Sequence, residues 1–366
     1  MPTPDVLFDL REFENGTGIG RYARELAREI ASQTLDSSKK LAFLKSGSGP
    51  TWARPSYETE SPTISIREQL TVPFRARGIP LLHVPFLNVP MAYTGKLVLT
   101  VHDFTLMDFM EAIPNLHGRF YAWFMTQFSI RRADGIIAIS EHTRNEITNR
   151  FPSASSKTRV IHNGITSEFS ATKEPEKVKE AIHSQGISQP YIFSLGSNSP
   201  HKNFKTLVEA FQRVHRDHPN VTLLLAGHNV DWETELGDFV RANDTTGQIQ
   251  LGGYVDESHV QPLYTGAELF TLVSLNEGFG FPPLEAMACR TPCVVSNTSS
   301  LPEVTGDAAV HVDPRDAQEI AVGISDVLAN EKLAENLVQR GLHQIENFSW
   351  KRCASETLEF YCDLLE

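Results

Sequence analysis

Cysteine is scarce in this chain: the only four, Cys289, Cys293, Cys353 and Cys362, come late in 366 residues and none stands in a C-x-x-C pair. That excludes a disulfide framework and points to buried, reduced thiols rather than a metal site. Long apolar runs are also missing, and no stretch approaches the roughly 18 to 20 residues of a spanning helix. The start, Met1-Pro2-Thr3-Pro4-Asp5, has no basic segment, and the apolar stretch behind it is broken at Asp9, so no secretory leader is expected. The expected compartment is the cytoplasm. Positive charge is in deficit, with 33 Lys and Arg against 45 Asp and Glu and a net charge of −12. A nucleic-acid binder needs a phosphate-neutralising surface, so that class is disfavoured.

What remains is an ordinary globular composition, 40% hydrophobic and 21% charged, which fits neither a disordered chain nor a coiled coil. The length argues for two domains. The acidity is unevenly divided: residues 1–172 carry +2 and residues 173–366 carry −14. A mildly basic first half suits local contact with an anionic membrane or a phosphorylated lipid, or else reflects drift of surface charge.

Short β-branched or aliphatic runs that end in Gly, Asn, Ser or Asp loops and lead into helical periodicity recur throughout, the mark of βα units and parallel sheets. Strands are expected at 6–10, 41–44, 81–84, 96–101, 135–139 and 158–161, then at 191–195, 222–226, 249–251, 269–272, 293–296 and 309–312. Helices are expected at 20–32, 116–132, 141–150, 204–214, 233–242, 258–265 and 284–288. This predicts an α/β protein of two doubly wound, Rossmann-like domains, with the polar segment 167–175 as linker. Such sheets bind ligands at the carboxyl ends of their strands, so chemistry is expected in the strand-to-helix loops and in a cleft between the domains.

Four loops carry unusual residues. Gly16-Thr17-Gly18-Ile19-Gly20-Arg21 opens a helix after the first strand, and glycines there let backbone approach a phosphate, although a ligand-free turn reads the same way. His102-Asp103 ends the strand at 96–101; the imidazole suits a sugar hydroxyl or a core hydrogen bond, and Asp103 a helix cap or a partner. Gly196-Ser197-Asn198-Ser199-Pro200-His201-Lys202-Asn203 puts a lysine at the head of a helix. A cation is disfavoured beside that positive end, which makes sense if an anion such as a diphosphate is held there. The most specific loop is Asn276-Glu277-Gly278-Phe279-Gly280-Phe281-Pro282-Pro283-Leu284-Glu285-Ala286-Met287-Ala288. Its two carboxylates flank glycine amides, and the Pro pair suits a first helical turn.

Glu277, seven residues, then Glu285 resembles the E-x7-E signature of retaining family-4 glycosyltransferases of the GT-B fold. The likeness extends in order and spacing to Gly16–Tyr22, Val101-His102-Asp103, Ile139-Ser140-Glu141, His162-Asn163-Gly164-Ile165, Pro200-His201-Lys202-Asn203, Ala226-Gly227 and Leu301-Pro302-Glu303-Val304. Its style is similar to bacterial mannosyl- and rhamnosyltransferases of surface polysaccharide assembly. The resemblance implies domains at 1–170 (acceptor side, joined by a crossing helix 349–366) and 171–348 (nucleotide-sugar donor side), with hinges near Ser167 and Phe348. It implies that Glu285 binds ribose hydroxyls, that Glu277 contacts the sugar near its reacting carbon, and that the amides of Gly278, Phe279, Gly280 and Phe281 hold sugar hydroxyls and phosphate. Lys202 would bind the diphosphate, Gly18 would approach it, His102 would face the donor sugar, and backbone at Tyr254 and Val255 would meet the base. Two positions depart from the pattern: Ser197 stands where many members carry Arg, leaving Arg21 or His201 as substitutes, and Arg290 where Gly is common.

No D-x-D occurs, so a divalent cation is expected to be unnecessary, and no cofactor beyond the donor substrate is expected. The expected donor is a GDP-sugar, with UDP- or dTDP-sugars possible, and the expected acceptor a glycan or lipid-linked hydroxyl. A GT-B nucleotide-sugar epimerase and a catalytically silent nucleotide-sugar binder are the alternatives. The run Phe120-Tyr121-Ala122-Trp123-Phe124 with Phe128, Arg119, Arg131 and Arg132 reads either as core or as a peripheral contact with the inner membrane face.

Overall fold

The computed structural model describes residues 3–12, 18–34, 40–46, 50–61, 63, 65–108, 115–172 and 174–366. The chain divides into two compact units, Met1–Thr166 with Phe348–Glu366, and Ser167–Asn347. The division falls at residue 166 rather than 170 for a local reason. Ile165 donates to the Phe348 carbonyl at 3.2 Å and bridges Ser349, whereas the Ser170 carbonyl already accepts from Gln261 Nε2 of the second unit at 2.6 Å.

Among the described residues, the first unit holds seven strands: β1 (Val6–Asp9), β2 (Leu41–Lys45), β3 (Ser56–Glu58), β4 (Leu81–Val84), β5 (Lys96–Val101), β6 (Gly135–Ala138) and β7 (Thr158–Val160), in the order β3-β2-β1-β4-β5-β6-β7. Every pair is parallel. β1, β2, β4 and β6 are buried at every residue, as continuous apolar strands covered on both faces must be. The edge strand β3 escapes the sequence pattern because it is three residues long and half exposed. The helix Glu68–Arg75 is not expected from the sequence either, and Pro73 inside it obscures its period.

The helix Trp350–Leu365 belongs to this unit. It packs along the helix Gly18–Thr34, where Gln33 Nε2 donates to the Lys351 carbonyl at 3.0 Å and Ser355 Oγ donates to Gln33 Oε1 at 3.0 Å. The residues it buries are Trp350, Cys353, Ala354, Thr357, Phe360 and Tyr361. Of the apolar side chains at 358, 361, 362 and 365, only Tyr361 is fully buried.

The second unit holds β8 (Tyr191–Leu195), β9 (Thr222–Ala226), β10 (Ile249–Leu251), β11 (Leu269–Leu272), β12 (Cys293–Ser296) and β13 (Ala309–Val312), in the order β10-β9-β8-β11-β12-β13, again all parallel. Its core is built by the helix Phe204–Asp217, which buries Phe204, Leu207, Val208, Phe211 and Val214, against strand residues such as Ile192, Leu223, Leu225 and Leu269. In each sheet the winding direction reverses beside the first strand, between β1 and β4 and between β8 and β11. The loops leaving those strands diverge to opposite faces and open a crevice at their carboxyl ends.

Candidate active site

In the second unit, β8 and β11 are paired neighbours (Leu269 beside Ile192, Phe270 beside Phe193), so the loops they release rise side by side. After β8 the chain is pinned at Gly196, whose amide donates to the Ala226 carbonyl at 3.0 Å. Gly227 lies against it at φ 131°, and a Cβ there would come within 2.0 Å of the Gly196 carbonyl oxygen. Only glycine fits both that dihedral and that approach. Pro200–Lys202 then forms one 3-10 turn, and Asn203 adopts a left-handed conformation at φ 60°. Its Nδ2 donates to the Val273 carbonyl at 3.0 Å and the Pro314 carbonyl at 2.7 Å, tying the turn to the ends of β11 and β13. The Leu275 amide donates to the His201 carbonyl at 2.7 Å.

These constraints aim Lys202 at the β11 loop, where Nζ lies 2.6 Å from Glu277 Oε1. The anion that the misplaced lysine called for is thus present in the protein: it is Glu277. Ser274 Oγ also donates to Glu277 Oε1 at 2.6 Å, and the Glu277 amide donates to Ser299 Oγ at 3.1 Å. Ser300 Oγ lies 2.8 Å from the Glu277 carbonyl and 2.5 Å from that of Phe279, so one hydroxyl holds both sides of the Gly278 turn. Gly280 at φ 121° then delivers the chain into the helix Phe281–Ala288, with its prolines in the first turn.

Glu285 sits within that helix at 3% exposure, and its Oε2 accepts the Tyr264 hydroxyl at 3.0 Å. Tyr264 is fixed by ring contacts with Phe193 and Phe270, both at 5.2 Å. Ser197 Oγ pairs with Ser199 Oγ at 3.0 Å. Tyr254 is exposed and Val255 buried. Arg290 is held at φ 64°, a left-handed conformation that favours glycine.

In the first unit, Gly18 opens the helix Gly18–Thr34; Gly16 and Thr17 lie outside the described residues. His102 follows β5. Its Nε2 is 3.0 Å from the Pro85 carbonyl, an oxygen that can only accept, so Nε2 carries the proton and Nδ1 keeps a lone pair. The ring packs edge-to-face on Tyr22 at 4.9 Å. Burial lowers the His102 pKa to about 4, against the opposing pull of Asp103 and of the hydrogen bond to Pro85. The imidazole is therefore neutral at pH 7. Asp103 caps the short helix after it, accepting from the Thr105 amide at 2.8 Å. Among the described residues, no group of three or more His, Cys, Asp or Glu side chains is placed to hold a metal ion.

Two family models match the chain: Glycosyltransferase Family 4 over residues 16–169 and Glycosyl transferases group 1 over residues 176–344. Together they span both units. The chain belongs to the family-4 glycosyltransferases. Among its relatives, this glycosyltransferase is 28% identical to the O-antigen chain mannosyltransferase B of Escherichia coli, over 94% of this chain and 96% of that protein. It is 29% identical to the serotype-specific mannosyltransferase WbdA of Escherichia coli over 77% of this chain, a match that spans 35% of WbdA. The solved structure of Anabaena HepE in complex with UDP and glucose superposes with a TM-score of 0.74 at 18% identity, covering 97% of this chain and 98% of that one. The sucrose-phosphate synthase of Thermosynechococcus elongatus gives 0.74 at 19% identity, covering 98% of each. These establish the GT-B fold for the glycosyltransferase. The epimerase and silent-binder alternatives are not favoured.

Of the residues singled out in the sequence, the fold brings Lys202 and Glu277 into contact and buries Glu285 eight positions further on. Sequence reasoning missed Ser274, Ser299, Ser300, Tyr264 and Asn203 as supports. Ser299 and Ser300 do follow a strand, at the carboxyl end of β12, and that position was the available signal. Tyr264 sits in the last turn of the helix Glu257–Gly266, where nothing local marks it.

Proposed function

We propose that this glycosyltransferase moves mannose, or a closely similar hexose, from a nucleotide diphosphate sugar to a hydroxyl of a glycan or lipid-linked acceptor in surface polysaccharide assembly. The transfer retains the anomeric configuration and needs no divalent cation or further cofactor. The observation that carries this reading is the Lys202–Glu277 contact at the switch point of the second sheet, directly before a helix N-terminus. The mannosyltransferase relatives support the sugar; the donor base in this reading is GDP, and the UDP complex of HepE makes UDP the competing base.

In this reading the anomeric C–O bond to the diphosphate breaks and the acceptor oxygen bonds to the same face. The acceptor proton passes to the departing phosphate oxygen. Lys202 shares its charge between Glu277 and the diphosphate, and the helix N-terminus at Phe281 adds its dipole. Glu277 with the Gly278–Phe281 turn addresses the sugar, and Glu285, braced by Tyr264, the ribose; Ser197 lies beside the diphosphate, and the backbone at Tyr254 and Val255 meets the base. In the first unit, His102 offers Nδ1 as an acceptor for a hydroxyl. We infer a cytoplasmic compartment, in keeping with four free cysteines of which three are buried.

The test is a thermal-shift screen with GDP-mannose, UDP-glucose and dTDP-rhamnose, followed by transfer to a mannose-terminated acceptor with and without EDTA and NMR of the new linkage. An α-linked mannoside formed from GDP-α-mannose in EDTA is expected. Inversion, loss of activity in EDTA, or stabilisation by another donor alone overturns the corresponding part of the reading.

A further inference from the structure

The aromatic run at 120–128 suits either core or surface by its residue types, and the structure divides it between the two. The helix Leu116–Arg132 buries Met125, Thr126, Ser129 and Ile130 but leaves Leu116, Phe120, Trp123 and Phe124 exposed, Phe120 by 65%. Phe120 stacks on Phe124 at 6.2 Å, an outward pair that continues at 6.2 Å into Phe128, which is partly buried against the core.

A second ridge lies on the helix Glu68–Arg75, which turns Glu68, Gln69 and Val72 inward. Leu70 and Phe74, with Ile66 just before the helix, recur every fourth residue and are exposed by 73%, 71% and 80%. Polar contacts join the two helices: the Tyr121 hydroxyl donates to Asn88 Oδ1 at 3.0 Å, Asn88 Nδ2 donates to Glu68 Oε1, and the Met91 amide donates to Gln69 Oε1 at 2.8 Å. Among the described residues, all the large exposed hydrophobics except Tyr254 and Val322 fall between Ile66 and Phe124. That concentration is larger than scattered surface apolar residues account for.

Arg67, Arg75 and Arg77 are exposed beside the Ile66–Phe74 ridge. Arg67 lies 4.0 Å from Glu60 Oε2, an exposed and easily exchanged pair. Arg131 ends the other ridge, held to Gln127 Oε1 at 2.6 Å. We infer that this face docks on an anionic lipid surface, its aliphatic and aromatic side chains entering the headgroup boundary and its arginines meeting lipid phosphates. A second copy of the chain fits less well, because a two-fold contact through this patch would bring arginines of like sign together. The inference rests on the first unit alone and not on the identity of the donor; in the proposed function it would bring a lipid-linked acceptor to the enzyme.

Vesicle flotation tests it, with phosphatidylcholine alone and with about 30 mol% phosphatidylglycerol, at about 50 and 500 mM salt. The variants are L70S/F74S, F120S/W123S and R75E/R77E, all at exposed positions, with folding checked by thermal melts and donor binding by thermal shift. The wild type is expected to bind the anionic vesicles at least about tenfold more tightly than the neutral ones, and less at high salt; each variant should lose about tenfold while donor binding is unchanged. Absence of an anionic preference, variants that bind like wild type, or a dimer in sedimentation velocity that L70S/F74S disperses without any vesicle binding would each overturn it.

Discussion

Replacing Lys202 by methionine keeps the length of the side chain and removes its charge, 2.6 Å from a Glu277 carboxylate oxygen whose side chain is only 12% exposed. At an effective dielectric constant of 20 the attraction lost is about 6 kcal/mol, most of it offset in the wild type by the cost of desolvating both groups. Breaking a fully buried pair from one side costs about 3 to 5 kcal/mol. Here the remaining solvent access and the Ser274 hydroxyl reduce that, and about 2 kcal/mol is expected. Removing Glu277 as well, as in K202M/E277Q, takes away the stranded charge, so most of the stability should return. Turnover should not. If Lys202 stabilises the departing diphosphate, both variants lose on the order of 10² to 10³ in kcat. Urea denaturation and a coupled assay for nucleoside diphosphate release measure the two quantities separately. A single variant as stable as wild type refutes the energetics, and a double variant that regains activity along with stability shows that Lys202 acts only as a structural partner of Glu277.

Two further outcomes follow from other parts of the structure. G227A places a Cβ 2.0 Å from a backbone oxygen at φ 131°, so a loss of at least about 3 kcal/mol is expected in equilibrium unfolding; a loss under about 1 kcal/mol would show that the loop yields freely. Burial lowers the pKa values of His83 and His102 from 6.5 to about 3 and about 4. The folded state therefore binds fewer protons than the unfolded one below pH 6.5, and stability present at neutral pH is lost as pH falls toward 4. Melting temperatures between pH 7 and 5 should decline, and H83Q should flatten the decline. A wild type with a level profile over that window contradicts it.

Much of this protein is legible in its amino-acid sequence. The six strands of the second unit occur where the sequence places them, because buried parallel strands are unbroken apolar runs bounded by Gly, Asn and Ser. Lys202 and Glu277 stand out because each is chemically out of place in its own loop. The supports do not. Tyr264 meets Glu285 from another helix, and Asn203 reaches across to the ends of β11 and β13. Nor can a pattern of apolar residues say which side of the helix Leu116–Arg132 faces inward, since both sides are apolar.

Local chemistry alone thus determined the two parallel α/β units, the family and the loops that bear the site, since strand burial, glycine placement and charge at helix ends are all written in short stretches. Tertiary structure decided what those residues do to one another. The pairing of β8 with β11 brings Lys202 onto a carboxylate 75 positions away, the Pro85 carbonyl selects the tautomer of His102, and packing leaves the ring face of Phe120 and Trp123 open. Each of these depends on distances between segments far apart in the chain, which side-chain identity and spacing along one segment do not contain.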